Sequence, residues 1–389
     1  MEKYKKIKDM KLAIDATTMI EGGGLKYLSK LIENFKKKDH SVEKLLIFVS
    51  NNFNYKKYDE LENIEFIELP KRFFFGINLV LWKMFYMKSK ILKNNYNILF
   101  SLSGYNLSLF YPFVSIIHNQ LPFEIEEIKR YGISLQSLKF LTLRILLDLS
   151  IKKASGVIFL SNFSKNKVFS LSSKKINYTI IPHGLDESDK RIYFPKERFK
   201  DFNQKNPFKI TYLSNFEPYK HQDKVGEAIK SLRLSGLHIE INFIGKIVKS
   251  GRHMEKKLKK IDPSSEFINL LGWKPAQETK NILQNSDLAI FASTCETFGQ
   301  VVLEIMRWGV PLICSKDGPM KEILEECSVG YFNPLDPKDI QNEISKIYYD
   351  NVKRNRNSNE LFERSLKYTW EKSFQKTFEF IHTNYLRSK

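Results

Sequence analysis

Glu296 and Glu304 stand eight residues apart in the stretch DLAIFASTCETFGQVVLEIMRWGVPLICS, residues 287–315. The first acid lies in a small polar loop that follows an apolar run, residues 287–292, which reads as a strand. The second lies on a short apolar helix expected over residues 300–308, ended by Gly309, with residues 310–314 as the next buried strand. Between the acids, the backbone N–H groups of Thr297, Phe298 and Gly299 open the helix, and a helix start binds phosphate well. Carboxylates beside a phosphate site conflict unless one ligand carries both kinds of group. A nucleoside diphosphate sugar does: amide N–H groups take its diphosphate, and carboxylates accept hydrogen bonds from ribose and sugar hydroxyls. The bland alternative is a pair of solvated acids near a helix start, where acids are favoured anyway.

Further residues stand in loops or turns that follow expected strands. His118 follows a buried strand at residues 113–117, and a neutral imidazole there can donate to a phosphate or sugar oxygen. Lys220 lies in the loop SNFEPYKHQ, residues 214–222, just after a strand at 208–213. Gly22 and Gly23 belong to the run EGGGLKYL, residues 21–28, where glycine permits a tight turn or close approach by a ligand. Gly245 and Gly272 each end a strand, and Trp273 follows the second of them, as a pocket wall or as ordinary packing. His183, in the turn PHGLD at 182–186, either faces a cleft or serves the turn alone.

ETFGQVVLE resembles the E-x-F-G-x-x-x-x-E signature of the retaining GT-B glycosyltransferases of family 4, the glycosyl transferases group 1. The resemblance implies two doubly wound Rossmann-like domains facing across a cleft, and transfer of a sugar from a nucleotide to an acceptor hydroxyl with retained configuration. Carried over, Glu296 faces the donor sugar and Glu304 binds the ribose. The loop at 214–222 is similar to the family's G-R-L-x-x-x-K-G loop, which clamps the diphosphate. Lys220 matches its lysine, but Asn215 stands where its arginine usually is, a group that can bond phosphate without bringing charge. His118 matches a family histidine, the glycine run resembles the family's G-G-x-x-x-Y loop, and Trp273 lies near the expected base pocket. No positioned carboxylate nucleophile is evident, so the implied mechanism is front-face attack with the donor phosphate as base, independent of metal. A nucleotide-sugar epimerase of the same fold is the alternative enzyme.

Elements of alternating strand and helix character must position these groups. Strands are expected at residues 11–15, 45–49, 64–69, 97–100, 113–117, 156–161 and 176–181, then at 208–213, 239–245, 267–273, 287–292 and 310–314. This β-α alternation implies α/β domains with parallel sheets. The expected organisation is an N-terminal domain over 1–190, a linker over 191–207 and a C-terminal domain over 208–368. A last helix, about 369–389, returns to the N-terminal domain by family resemblance. Helices are also expected at 134–153, 338–349 and 358–367. A segment from Lys71 to Leu92 mixes Trp82, Phe85 and Tyr86 with Lys83, Lys88 and Lys90. It suits either a membrane interface or a helix buried on one face with lysines reaching outward.

With 389 residues the chain accommodates two domains, and 63 Lys plus Arg against 44 Asp plus Glu leave a net charge of +19. That excess favours anionic partners: a UDP-, GDP- or ADP-linked sugar, or an anionic membrane surface. No nucleic-acid-binding motif accompanies it, so a basic nucleic-acid or membrane binder without catalysis is the weaker reading. Cys295, Cys314 and Cys327 form no C-x-x-C pair, which suits a reducing, cytoplasmic setting. Cys295 adjoins Glu296, but no histidine lies near it in sequence, and loop packing is the expected role. The histidines show no metal-ligand spacing, and no apolar run is long enough to be a leader or to span a bilayer. The acceptor is expected to be a glycan or lipid-linked hydroxyl, in surface polysaccharide synthesis.

Overall fold

A computed structural model describes residues 10–20, 22–37, 40–58, 60–73, 76–169, 176–186, 201–325, 327 and 329–389. Glu21 and most of the expected linker lie outside the described residues. The chain divides into two compact units. The first comprises Met1–Phe123, Lys139–Gly184 and Trp370–Lys389, and the second Glu124–Leu138 and Leu185–Thr369. The sequence pattern assigns residues 124–138 to the N-terminal domain. They group instead with the second unit, where the Tyr131 hydroxyl donates to Glu217 at 2.9 Å.

The first unit holds a parallel sheet of seven strands: β1 Met10–Ala16, β2 Val42–Val49, β3 Ile64–Glu68, β4 Ile98–Ser101, β5 Phe113–Ile116, β6 Gly156–Phe159 and β7 Tyr178–Ile180. Their order is β3-β2-β1-β4-β5-β6-β7. Every residue of β4, β5 and β6 is buried, as expected of strands covered on both faces. The helix Gly23–Phe35 buries Tyr27, Leu28, Leu31, Ile32 and Phe35 on one stripe. The last helix, Trp370–Ser388, packs in this unit through Phe374 on Tyr27 and an Asn177–Asn384 side-chain bond of 2.7 Å. It lies so close to β6 that a Cβ on Gly156 would come within 2.8 Å of the Phe380 ring.

The basic, aromatic segment is more divided than its sequence suggests. It forms helix Gly76–Leu81, a π-helical turn Trp82–Met87 and helix Lys88–Lys93. Trp82, Lys83, Met87 and Ile91 point inward, while Phe85 and Tyr86 are exposed. Lys83, counted among the outward lysines on sequence grounds, is fully buried and donates to Asp15 Oδ2 at 2.7 Å. Asp15 also accepts from the backbone and hydroxyl of Thr17. The ammonium lies 5.5 Å from the Tyr105 ring centroid.

The second unit holds β8 Phe208–Leu213, β9 Ile239–Ile244, β10 Ile268–Gly272, β11 Leu288–Phe291, β12 Leu312–Ser315 and β13 Gly330–Phe332, all parallel, in the order β10-β9-β8-β11-β12-β13. The three-residue β13 escaped the sequence reading because it is too short to show a period. The helix expected to begin at Ser358 runs from Asn351 to Ser365. Asp350 caps it by accepting from Lys353 N at 2.8 Å, and its largely polar first turns hid that start. Arg354 is buried there, donating to the Tyr348 carbonyl at 2.7 Å.

Candidate functional site

In the second unit the chain leaves β8 toward β9 and β10, then returns beside β8 as β11, so strand order reverses between β8 and β11. The carboxyl ends of strands at such a reversal leave a crevice where ligands bind in open α/β sheets. A cavity of about 390 Å³ lies there. Asn215, Lys220, Gly245, Trp273, Glu296 and Gly299, all singled out from the sequence, line it together with Glu217, Tyr219, Lys274, Gln300 and Val301.

Two loops build its floor and are stitched together. Thr294 N donates to the Tyr219 carbonyl at 3.0 Å, and the His221 ring nitrogen meets the Thr294 hydroxyl at 3.0 Å. The Tyr212 hydroxyl donates to the Lys220 carbonyl at 2.6 Å and accepts from Ala292 N at 3.2 Å. This bracing brings Lys220 and Glu296, 76 residues apart, into a direct ammonium–carboxylate hydrogen bond. Only 12% and 17% of their side chains are exposed. The ammonium lies 5.0 Å from the Phe291 ring centroid. A ligand that offers an anion to Lys220 and hydroxyl donors to Glu296 would replace this bond with charge-assisted bonds of the same kind.

The neighbouring wall depends on a close backbone approach. Gly245 has φ +149°, and a Cβ there would stand 2.1 Å from the Ser214 carbonyl oxygen. Asn215 uses its side-chain oxygen to accept from Lys246 N at 2.9 Å, and its carbonyl accepts from the Gln222 amide at 3.0 Å. The sequence reading gave Asn215 to a phosphate. Its side-chain oxygen instead holds the β9 turn, which leaves the amide nitrogen as the end suited to a ligand oxygen.

The helix start also differs from expectation. Gly299 is the N-cap, left-handed at φ +93°, and the helix runs Gln300–Arg307. Thr297 and Phe298 are buried, Phe298 with its ring edge-on to Tyr368. Gly299, Gln300 and Val301 line the cavity, whereas Thr297 and Phe298 do not. Glu304 is half-buried in the second turn, outside the cavity wall and on the side of the helix that carries Gln300 and Val301. Trp273 is 63% exposed, leaving an open indole face at the rim. Glu217, which accepts from Tyr131 and from the Ser250 hydroxyl at 2.9 Å each, was missed. Its position in the loop after β8 was the available signal. Burial pushes the Cys295 thiol well up, so it is a poor nucleophile.

In the first unit, the loop after β5 carries His118 and the turn after β7 carries His183. Their rings stack with centroids 5.3 Å apart and planes 8° from parallel. Tyr27 meets both edge-on, and Trp370 meets His183 at 5.4 Å. Burial lowers His118 to about 4 and, with the nearby His118 and Lys26 charges, lowers His183 well below the ordinary value, so both are neutral near pH 7. Gly22 has φ +66° and opens the helix Gly23–Phe35. A Cβ on Gly22 or on Gly23 would meet nothing within 4 Å, so this turn leaves room for a ligand. Among the described residues, no group of three or more His, Cys, Asp or Glu could hold a metal ion.

Comparison with known proteins agrees with this architecture. Residues 194–363 match the family model of glycosyl transferases group 1. The sulfoquinovosyl transferase SQD2 of Arabidopsis thaliana is 28% identical over 171 residues, 41% of this chain and 32% of that protein. The chain spans less than half the length of the curated relatives it matches. Sucrose-phosphate synthase from Thermosynechococcus elongatus superposes with a TM-score of 0.75 at 16% identity, covering 97% of this chain and 100% of that one. Anabaena HepE, solved in complex with UDP and glucose, superposes with a TM-score of 0.70 at 17% identity, covering 96% and 100%. The fold is GT-B, two Rossmann-like domains.

Proposed function

We propose that this chain is a glycosyltransferase that moves a sugar from a nucleoside diphosphate sugar to a hydroxyl. The observation that carries the reading is the Lys220–Glu296 pair on the wall of the cavity at the strand reversal, beside a helix start. The diphosphate draws the Lys220 ammonium away from Glu296 and seats against the Gly299–Val301 backbone. Glu296 then accepts hydrogen bonds from the sugar hydroxyls, and Glu304 is assigned to the ribose. As the bond from the anomeric carbon to the diphosphate oxygen breaks, negative charge grows on the leaving group, where Lys220 is placed to stabilise it. One such preorganised donor contributes about 3 kcal/mol. HepE, of like fold, was solved with UDP and glucose, which supports a nucleotide-sugar donor, and SQD2 is a sulfoquinovosyl transferase, which supports sugar transfer.

The finer reading follows the family 4 resemblance. The acceptor oxygen bonds to the anomeric carbon on the face that the diphosphate leaves, configuration is retained, and the acceptor proton passes to the departing phosphate oxygen. His118 supplies a neutral imidazole to a sugar or phosphate oxygen. Lys220 and the helix start provide the positive charge, so transfer proceeds without metal. A glycan or lipid-linked acceptor in surface polysaccharide synthesis, on the cytoplasmic face of a membrane, fits the basic character of the chain.

A thermal-shift series with UDP-, GDP- and ADP-sugars tests donor binding, because a ligand of the folded state raises Tm. At least one donor is expected to raise Tm in the wild type and to lose that effect in Lys220→Ala. Nucleotide release that needs no acceptor and leaves an epimerised sugar would replace transfer with epimerisation. No shift with any donor would remove the reading.

A further inference from the structure

Helix Gly76–Lys93, with its π turn, connects β3 to β4, and helix Leu135–Lys153 connects β5 to β6. In the order β3-β2-β1-β4-β5-β6-β7 both connections run the same way across the sheet. Right-handed crossovers therefore put both helices on one face of it. The β4–β5 loop lies between them: Phe110 packs with Trp82 and Met87, and Asn106 N donates to Ser150 Oγ at 3.0 Å. The outer side of this layer is unusually apolar. Phe85 is 67% exposed, Tyr111 64%, Ile145 61% and Leu149 51%, with Ile77 and Leu141 exposed beside them. Patches of this kind on soluble proteins mark interaction sites.

Charge identifies the partner. Residues 71–93 contain no acid, and Lys71, Arg72 and Lys93 are exposed there while Lys88 and Lys90 are half-buried. In residues 139–153 the only acid is Asp148, which Lys152 pairs at 2.6 Å. The loop 102–112 has no charged residue. Exposed apolar side chains in segments that carry many cations and a single acid match the acyl boundary and headgroups of an anionic bilayer. Among the described residues no helix is long and apolar enough to cross a membrane.

We propose that this two-helix face of the first unit docks on an anionic lipid bilayer, with Phe85, Tyr111, Ile145 and Leu149 entering the interface and the surrounding lysines and arginines facing the headgroups. The proposal deepens the lipid-side acceptor reading above. It is measured without donor or acceptor, so its failure and the failure of the transfer reading are separate results.

The full chain is sedimented with phosphatidylcholine vesicles and with vesicles containing phosphatidylglycerol, at low and high salt, alongside light scattering of the protein alone. The expected result is binding to the anionic vesicles only, weakened by salt. The triple variant Phe85→Ser, Ile145→Ser, Leu149→Ser should melt like the wild type, since the sites are exposed, yet partition at least about tenfold less. Lys88→Gln with Lys93→Gln should reduce binding to anionic vesicles and make what remains less sensitive to salt. No sedimentation with anionic vesicles overturns the proposal. So does equal sedimentation by the triple variant. A wild-type dimer that the triple variant dissociates without lipid assigns the face to a second copy, and also overturns it.

Discussion

His118 and His183 stack face to face at 5.3 Å, and Tyr27 closes on both from the side. Burial in a site largely shut off from water lowers both values, and at His183 the neighbouring His118 and Lys26 lower it further. Between the ordinary histidine value of 6.5 and about 4, the unfolded chain takes up protons that folded His118 refuses. Stability therefore falls as pH drops through that window and levels off below it. Tm measured from pH 7 to pH 4 should decline, and His183→Phe, which keeps a flat ring but cannot titrate, should decline less. Equal slopes would show that the pair does not set this dependence.

Lys220 and Glu296 satisfy each other before a donor arrives. Lys220→Ala is expected to lower kcat about a hundredfold by removing charge stabilisation in the transition state. Glu296→Gln should retain donor binding while losing kcat, because an amide still accepts hydroxyls through its oxygen but no longer balances the lysine. Steady-state kinetics with the donor found by thermal shift would check both. Unchanged kcat in either variant would place the chemistry elsewhere.

Gly245→Ala would force a side chain to φ +149° and to 2.1 Å from the Ser214 carbonyl. Relief requires the β8 and β9 loops to separate, so the variant should lose more than about 2 kcal/mol of stability and bind donor poorly. Gly22→Ala, whose Cβ would meet nothing within 4 Å, should keep the fold with a smaller penalty from its positive φ. Urea unfolding of the two variants separates these outcomes.

Lys83 and Asp15 are both sealed from solvent, 0% and 1% exposed. Lys83→Met leaves a buried carboxylate without its cation and should cost about 3–5 kcal/mol. Adding Asp15→Asn to that variant should recover part of the loss. Denaturant midpoints of the single and double variants give the coupling. Full additivity would mean the two groups do not depend on each other.

Much of this molecule can be read along the chain because parallel strands buried on both faces are written as apolar runs, and helix starts are marked by glycine and polar loops. The strands from β1 to β12 and the Glu296–Glu304 unit were legible for that reason. Signals failed where local sequence competes with packing. The three-residue β13 has no period, residues 351–357 look like coil until Asp350 is seen capping them, and Lys83 looks like any surface lysine until the π turn rolls it onto Asp15.

The chain alone marked candidates for gripping a sugar nucleotide: Glu296, Glu304 and His118 by type and place, and Lys220 by resemblance to a family loop. Only the tertiary structure decided which of them meet. Sheet order places the loops after β8 and β11 side by side, so residues 76 positions apart become a bonded pair. It also turned Asn215 to hold a backbone turn, put Gly299, Gln300 and Val301 on the cavity wall, and set His183 against His118. Each of these depends on contacts between segments distant in sequence, and local composition records no such contacts.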